Sequence, residues 1–360
     1  MHETNSNFEA QTKVAAEFRY QGQTCADMGS PLYAELCSRI ASDVEAGGPC
    51  WTTIAPRADL RFGLALPLRF LGGVHRLGHL GRATELSGQY PSLGGRLAGD
   101  LWSAFLAVVE RESIEITAAL DRDVQTNEVG RSAALSEGLR AIQSTTGLPL
   151  SLLEIGASGG LNLRLDHFTY VDGDRSRGGD GGNLQIADRW RGLNRPQLGA
   201  LNIVDRLGCD PNPIDPTTSE GRATLLGFLW PDQLERIART DAAIAIAKRV
   251  PATVVKAHAD TWIDEQLAQK RSTATVVYHS IVWQYIDRDE RTRITERIES
   301  SGAATSASSP IAWLSFEPRQ PDRKCAALTL RLWDGGDHNG EPQILAISGF
   351  HGEWVELGAS

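Results

Sequence analysis

The densest chemical signal in the chain is the run Leu152-Leu153-Glu154-Ile155-Gly156-Ala157-Ser158-Gly159-Gly160-Leu161-Asn162. An apolar stretch ends in an acid, and a turn of small residues follows. Glycines in such a turn let backbone approach a ligand closely, and a helix starting after it would present free N–H groups to a carboxylate or phosphate. Ser158 stands two residues from Gly156 and two from Gly160. That spacing suits a nucleophile raised on a sharp strand-to-helix turn. Polar residues also follow four later apolar runs: Asp210, then His258 with Asp260, then His279, then Glu317. Open parallel sheets bind ligands at the carboxyl ends of their strands, so the alignment predicts a ligand edge made of these residues. His279, directly behind a buried run, is the histidine best placed to act as a base. Asn127 and Arg131 lie in a polar cluster before another apolar stretch, where Asn127 caps a helix or both residues reach a substrate.

Several chemistries compete for the turn, besides a plain structural connection. A dinucleotide fingerprint needs G-x-G-x-x-G, but Ser158 and Leu161 occupy two of its glycine positions. A phosphate loop needs Gly-Lys-Ser/Thr at its end, which is missing here. The G-x-S-x-G elbow of serine hydrolases is satisfied, with Asp260 or Asp334 and then His351 following in the required order. Such hydrolases place several strands before the elbow, whereas this chain reads as helical there, and the elbow gives Glu154 no role. Lastly, Glu154-Ile155-Gly156-Ala157-Ser158-Gly159-Gly160 resembles the first motif of class I S-adenosylmethionine-dependent methyltransferases, with Ser158 in place of the middle glycine. A nucleotide-binding protein without catalysis is a further alternative. The four histidines His258, His279, His338 and His351 show no zincin or EF-hand spacing, so no metal site is expected.

The elements that must hold these groups fall into two styles. Residues from about 13 to 145 read as helices. Ser30 caps a helix with Pro31 at its first position, Leu32, Leu36, Ile40 and Val44 form its apolar stripe, and Gly47-Gly48 stops it. Asp100 caps a second, whose stripe Leu101, Phe105, Val108 and Val109 continues through Ile114 and Ile116; a third covers Val129 to Ser144. After Pro149 come short apolar runs separated by helical stretches, the mark of a parallel sheet with crossover helices. The runs are Leu150–Ile155, Leu201–Cys209, Ala252–Ala257, Thr273–Tyr278 and Ile311–Phe316, with a helix Pro231–Arg249 carrying Leu234, Ile237, Ile244 and Ala245 on one face. Leu328, Leu330 and Leu332 alternate with polar residues before a turn at 334–340 and a return at Ile344–Ile347, a hairpin. Val171–Asn183 and Ser300–Pro310 read as surface loops.

At 360 residues the chain has the length of roughly two domains. Its 36 Lys and Arg against 45 Asp and Glu give a net charge of −9, which disfavours a nucleic-acid partner or an anionic membrane surface. No apolar run reaches the roughly 18 residues of a membrane span, and the polar start Met1–Gln11 lacks the pattern of a signal peptide, so a cytoplasmic protein is expected. The five cysteines are an odd, scattered set without a C-x-x-C pair and are read as reduced and mostly core.

The segments Gln125–Arg131, Gly156–Leu163, Cys209–Asp215, Leu229–Gln233 and His351-Gly352 together resemble a bacterial family, domain of unknown function 2332. With the methyltransferase resemblance, the implied architecture is an α/β, Rossmann-like, mostly parallel sheet of class I methyltransferase type, residues 148–360, with a C-terminal antiparallel hairpin. An all-helical N-terminal domain, 1–147, precedes it and serves as a lid. The implied cofactor is S-adenosylmethionine and the implied acceptor a small molecule. Glu154, Gly156, Ser158 and Gly160 would hold the methionine half, Asp210, or else Asp205 or Asp188, the ribose, and Asp260 the adenine. His279, Arg131 and Asn127 would serve the acceptor.

Overall fold

The computed structural model describes residues 2–59, 65–96, 99–179, 184–196, 199–320 and 324–358. They group into two compact units, Met1–Thr126 with Thr218–Asp241, and Asn127–Thr217 with Ala242–Ser360.

The first unit is helical among its described residues: α1 His2–Asp27, α2 Pro31–Ala46, α3 Pro49–Ile54, α4 Leu66–His79, α5 Thr84–Ser87, α6 Leu101–Arg111 and α7 Ser113–Ala119. The Ser30 hydroxyl caps α2 as expected, and Gly47 ends it in the left-handed conformation. Asp100 likewise caps α6. The apolar stripe does not run through, however. Glu112 leaves helical geometry between α6 and α7, which rotates the second helix so that Ile116 is buried while Ile114 is 86% exposed. Phe18, Phe70 and Phe105 stack edge to face at the centre of this core. Cys25, Cys37 and Cys50 are buried as free thiols.

The second unit holds the sheet. Its elements are α8 Ser132–Thr146, β1 Leu150–Ile155, β2 Thr169–Asp172, β3 Arg175–Gly178, β4 Gln185–Ala187, β5 Trp190–Arg191 and β6 Ile203–Asp210. α9 Ser219–Gly227 and the start of α10 Leu234–Ala247 belong to the first unit, and after them the second continues with β7 Thr253–Lys256, α11 Ala259–Leu267, β8 Ala274–Ser280, α12 Arg288–Ala303, β9 Ile311–Pro318, β10 Ala326–Trp333, β11 Gln343–Ser348 and β12 Val355–Leu357. The nine-stranded sheet runs β5-β12-β11-β10-β9-β8-β1-β6-β7. Its five strands β7, β6, β1, β8 and β9 are parallel, and β9 to β12 form an antiparallel meander that contains the expected hairpin. The fold is thus mixed α/β with a large, mostly parallel sheet. Counting only the parallel strands in chain order, the arrangement is 3-2-1-4-5, so the winding reverses between β1 and β8. α8 lies against β8 to β11 on one face, and α11 and α12 supply the other.

Three expectations change here. Val171–Asn183 is not simply a loop: Thr169–Gly178 forms a β2–β3 hairpin that pairs with β4 in a small second sheet, while residues 180–183 lie outside the described residues. The helix expected at Pro231–Arg249 begins at Leu234, which is exposed, and it buries Ala243, Ile246 and Ala247 where Ala245 faces out. Third, the glycine turn does not lead into an α-helix. A short, kinked 3-10 stretch, Asn162–His167, follows it.

Candidate functional site at the carboxyl edge of the sheet

All six residues of β1 are buried, which fits a central strand covered on both faces. Glu154, near its carboxyl end, is 2% exposed and pairs across the ladder with Tyr278 of β8. Burial pushes the Glu154 carboxyl up to about 8, against the opposing pull of the Tyr278 hydroxyl and the Arg164 and Arg131 charges. Its Oε2 has no hydrogen-bond partner among the described residues.

The turn beyond β1 uses its own amides. Gly156 and Ala157 N–H donate to Cys209 O at 2.9 and 3.0 Å, and Gly160 N–H to Ala157 O at 2.7 Å. Ser158 N–H donates to Asp210 Oδ2 and Leu161 N–H to Asn127 Oδ1, each at 2.9 Å. These bonds explain why no α-helix starts here: side chains from two other elements capture the N–H groups that a first helical turn would leave open. Arg164 folds back as well, donating to Gly160 O at 2.7 Å and Val250 O at 2.6 Å. Gly156 has φ +68°, and a Cβ there would meet Val282 Cγ2 at 2.4 Å. The space it leaves is filled by Val282. What the turn does leave open is side-chain chemistry: Ser158 Oγ and Asn162 Oδ1 are buried without partners.

The three acids weighed for the ribose sit in different places. Asp210 reaches the turn, and its other oxygen accepts from Asn212 N–H at 2.8 Å. Asp205 accepts from Ser151 Oγ at 2.7 Å at the opposite end of β1, and Asp188 lies beside the small sheet, bonding Gly173 N–H. Asp260 follows the carboxyl end of β7, in the first turn of α11. Its oxygens are committed to Arg293 Nε at 2.8 Å and Thr261 N–H at 2.7 Å, which together hold its carboxyl below the usual range despite burial. Gly160 is packed against Val254 and Leu163.

Asn127 and Arg131 belong to a strap built into this edge. Asn162 Nδ2 donates to Glu128 O, Glu128 Oε1 accepts from Gly130 N–H, and Arg131 donates to Ser280 O at 3.0 Å and Phe350 O at 3.1 Å. Gly130 and Gly352 touch backbone to backbone: a Cβ on Gly130 would sit 2.2 Å from His351 O. Four of the five segments noted in the sequence therefore meet within one unit. The side chains weighed as hydrolase partners bond other groups and not Ser158 Oγ. Asp334 follows β10, whose end pairs with Ile311 at the amino end of β9, and it bonds His338 at 2.6 Å. His351 pairs with Glu353, and Asp260 with Arg293.

His279 lies at the end of β8, 1% exposed. Its Nδ1 is 2.7 Å from Glu317 Oε1, which also accepts from Val282 and Trp283 N–H at 3.0 and 3.2 Å. The imidazole stacks on Trp283 at 4.6 Å and 15°, with Trp313 at 6.1 Å. Among the described residues, His279 Nε2, Trp313 Nε1 and Glu317 Oε2 of this cluster are buried and have no partner. Reasoning from sequence noted Glu317 only as a strand-end acid and missed Trp313, Tyr278, Asn162 and Arg164. Glu317 is two residues beyond Ser315, the ladder partner of His279, so the i, i+2 spacing could mark it only once the β8–β9 register was known. Two non-glycine residues with positive φ flank the winding reversal, Ser158 at 54° and Ile281 at 52°. For a β-branched residue that is an outlier, and such strain, about 1–3 kcal/mol each, concentrates at functional sites.

A family model described as an uncharacterized protein conserved in bacteria (DUF2332) matches residues 15–357. The chain belongs to that family. No curated protein and no solved structure matches it. In this DUF2332 chain no group of three or more His, Cys, Asp or Glu among the described residues could hold a metal ion, and no described helix is long and apolar enough to cross a membrane.

Proposed function

We propose that the protein binds S-adenosylmethionine at the carboxyl edge of its central sheet and transfers the methyl group to a small-molecule acceptor, as a class I methyltransferase-like enzyme. The observation that carries this reading is the position of Glu154 and the strained Ser158 at the 3-2-1-4-5 winding reversal, where open α/β sheets bind ligands. Buried atoms without partners support it. Glu154 Oε2, Ser158 Oγ and Asn162 Oδ1 suit the amino and carboxyl groups of the methionine half, and the Asp210 carboxylate lies beside them at the end of the neighbouring strand, where the ribose would come. Leaving such groups unpaired costs about 1–3 kcal/mol each, which a polar ligand would recover. Asp260 is left out, because Arg293 holds its carboxylate. The amides of the turn are left out too, since the protein already satisfies them.

The cofactor, when bound, supplies an electrophilic methyl on sulfur. The chain's part is then to bind, orient and exclude water, and alignment alone supplies up to about 7–11 kcal/mol of the barrier. Calorimetry with S-adenosylhomocysteine tests the reading: micromolar binding is expected for the folded native protein. No heat from folded native protein removes the cofactor. One observation favours the serine hydrolase instead, the positive φ of Ser158 on a sharp turn. Labelling of Ser158 by a fluorophosphonate, lost in Ser158→Ala, would put that reading in place of methyl transfer.

A further inference from the structure

We propose that Glu317 is a positioning residue that holds His279 in the Nδ1–H tautomer, so that Nε2 is the base which takes a proton from a hydroxyl or amine acceptor. This deepens the methyl-transfer reading above and rests on it for the identity of the reaction, though not for the state of the histidine. Glu317 Oε1 accepts from three donors at once, His279 Nδ1–H and the N–H groups of Val282 and Trp283. A carboxylate fixed by two backbone amides cannot turn away from the ring, so the third bond sets the tautomer. Trp283 fixes the ring plane by stacking on it at 4.6 Å. Every freedom of the imidazole is removed on the Nδ1 side. On the other side Nε2 is buried and without a partner.

A purely structural histidine in a core uses both nitrogens. The open acceptor nitrogen belongs to a ring 6.1 Å from the Trp313 ring, whose Nε1 is an open donor, and the pair suits a group that can give a hydrogen bond and take one. A hydroxyl or a primary or secondary amine does both, whereas a thioether or carboxylate does not. In the step proposed, the O–H or N–H bond of the acceptor breaks with its proton going to Nε2, the acceptor's electron pair forms the new bond to the methyl carbon, and the methyl–sulfur bond would break with its pair left on sulfur. The resulting imidazolium faces the Glu317 carboxylate through Nδ1–H, and its proton later leaves to water.

The test is nitrogen NMR of histidine-labelled full-length protein at neutral pH, which reports the tautomer without ligand or turnover. The native protein is expected to show His279 with Nδ1 protonated and Nε2 bare. Glu317→Gln should keep that signature, because its amide oxygen still accepts from Nδ1–H, and Glu317→Leu should lose it. A native His279 that is Nε2–H or doubly protonated overturns the proposal, as does a Glu317→Leu protein with an unchanged signature and native fold. Binding of S-adenosylhomocysteine, measured alongside, should stay within about threefold in Glu317→Gln. Loss of binding in the native protein with the tautomer as expected would remove the methyl-transfer reading while leaving the positioning role.

Discussion

Two fully buried histidines, one in each unit of the molecule, are treated in opposite ways. In the helical unit His75 donates Nδ1–H to Leu229 O at 2.9 Å and accepts at Nε2 from Ser92 Oγ at 2.7 Å. Burial, reinforced by the neighbouring His79 ring, lowers its pKa to about 3, so it is a neutral two-way connector in a core. At the sheet edge His279 has its Nδ1 locked by Glu317 and its Nε2 open. The contrast teaches that burial by itself does not separate a structural polar group from a candidate functional one. The count of satisfied atoms does.

The largest expected effect breaks or keeps that contrast directly. His75→Leu strands the buried Leu229 carbonyl and takes the partner of the half-buried Ser92 hydroxyl, and should cost about 3 kcal/mol of unfolding free energy, from roughly 1–3 kcal/mol per unpaired group. His279→Leu removes one bonded nitrogen and one already unpaired; Glu317 Oε1 keeps its two amide donors, so the cost should be smaller than for His75→Leu. Equal losses in denaturant titrations would erase the distinction. Next in size is the behaviour of Glu154. Its folded pKa of about 8 lies above the unfolded value, so its protonated form stabilises the fold below about pH 4.5 and that contribution is lost as pH rises towards 8. Taken as the difference between native protein and Glu154→Gln, about 3 kcal/mol should therefore be lost between pH 5 and 8, at about 1.4 kcal/mol per pKa unit. Glu154→Gln should flatten that arm.

His75 has the opposite sign. Its depressed pKa means that the unfolded chain binds the proton first, so stability falls as pH drops below about 6.5 towards 3. Taken as the difference between native protein and His75→Gln, about 2 kcal/mol should be lost between pH 7.5 and 5, partly offsetting the Glu154 arm in the native protein itself. The smallest effect concerns the strap. Asn127→Leu deletes the bond to Leu161 N–H and should cost about 1–2 kcal/mol. It should also speed amide exchange at Leu161 ahead of the rest of the turn; uniform exchange across the sheet would show that the strap does not hold it.

What the sequence made legible was local. Ser30 and Asp100 as caps, Gly47 as a stop and β1 at Leu150–Ile155 all follow from neighbours within a turn or a strand. The nature of the glycine turn was not local. Its residues are compatible with a helix start, and the groups that divert them, Asp210 and Asn127, come from 52 and 34 residues away. Similarly, the Ile114 error arises because one residue, Glu112, rotates the stripe, and no periodicity within α6 announces it. The strand-end polar residues were recognisable as a set. Which of them carry open atoms depended on strand register and on partners such as Arg293, which no spacing along the chain reveals.

The central claim is that the sheet edge, and not the helical unit, receives the ligand. Amide hydrogen exchange with and without S-adenosylhomocysteine measures this residue by residue. The account predicts slowed exchange at Gly156–Asn162 and Ile281–Trp283, with α2 to α4 unchanged. Saturating ligand that leaves both edge segments unchanged, or that protects only the helical unit, would contradict it.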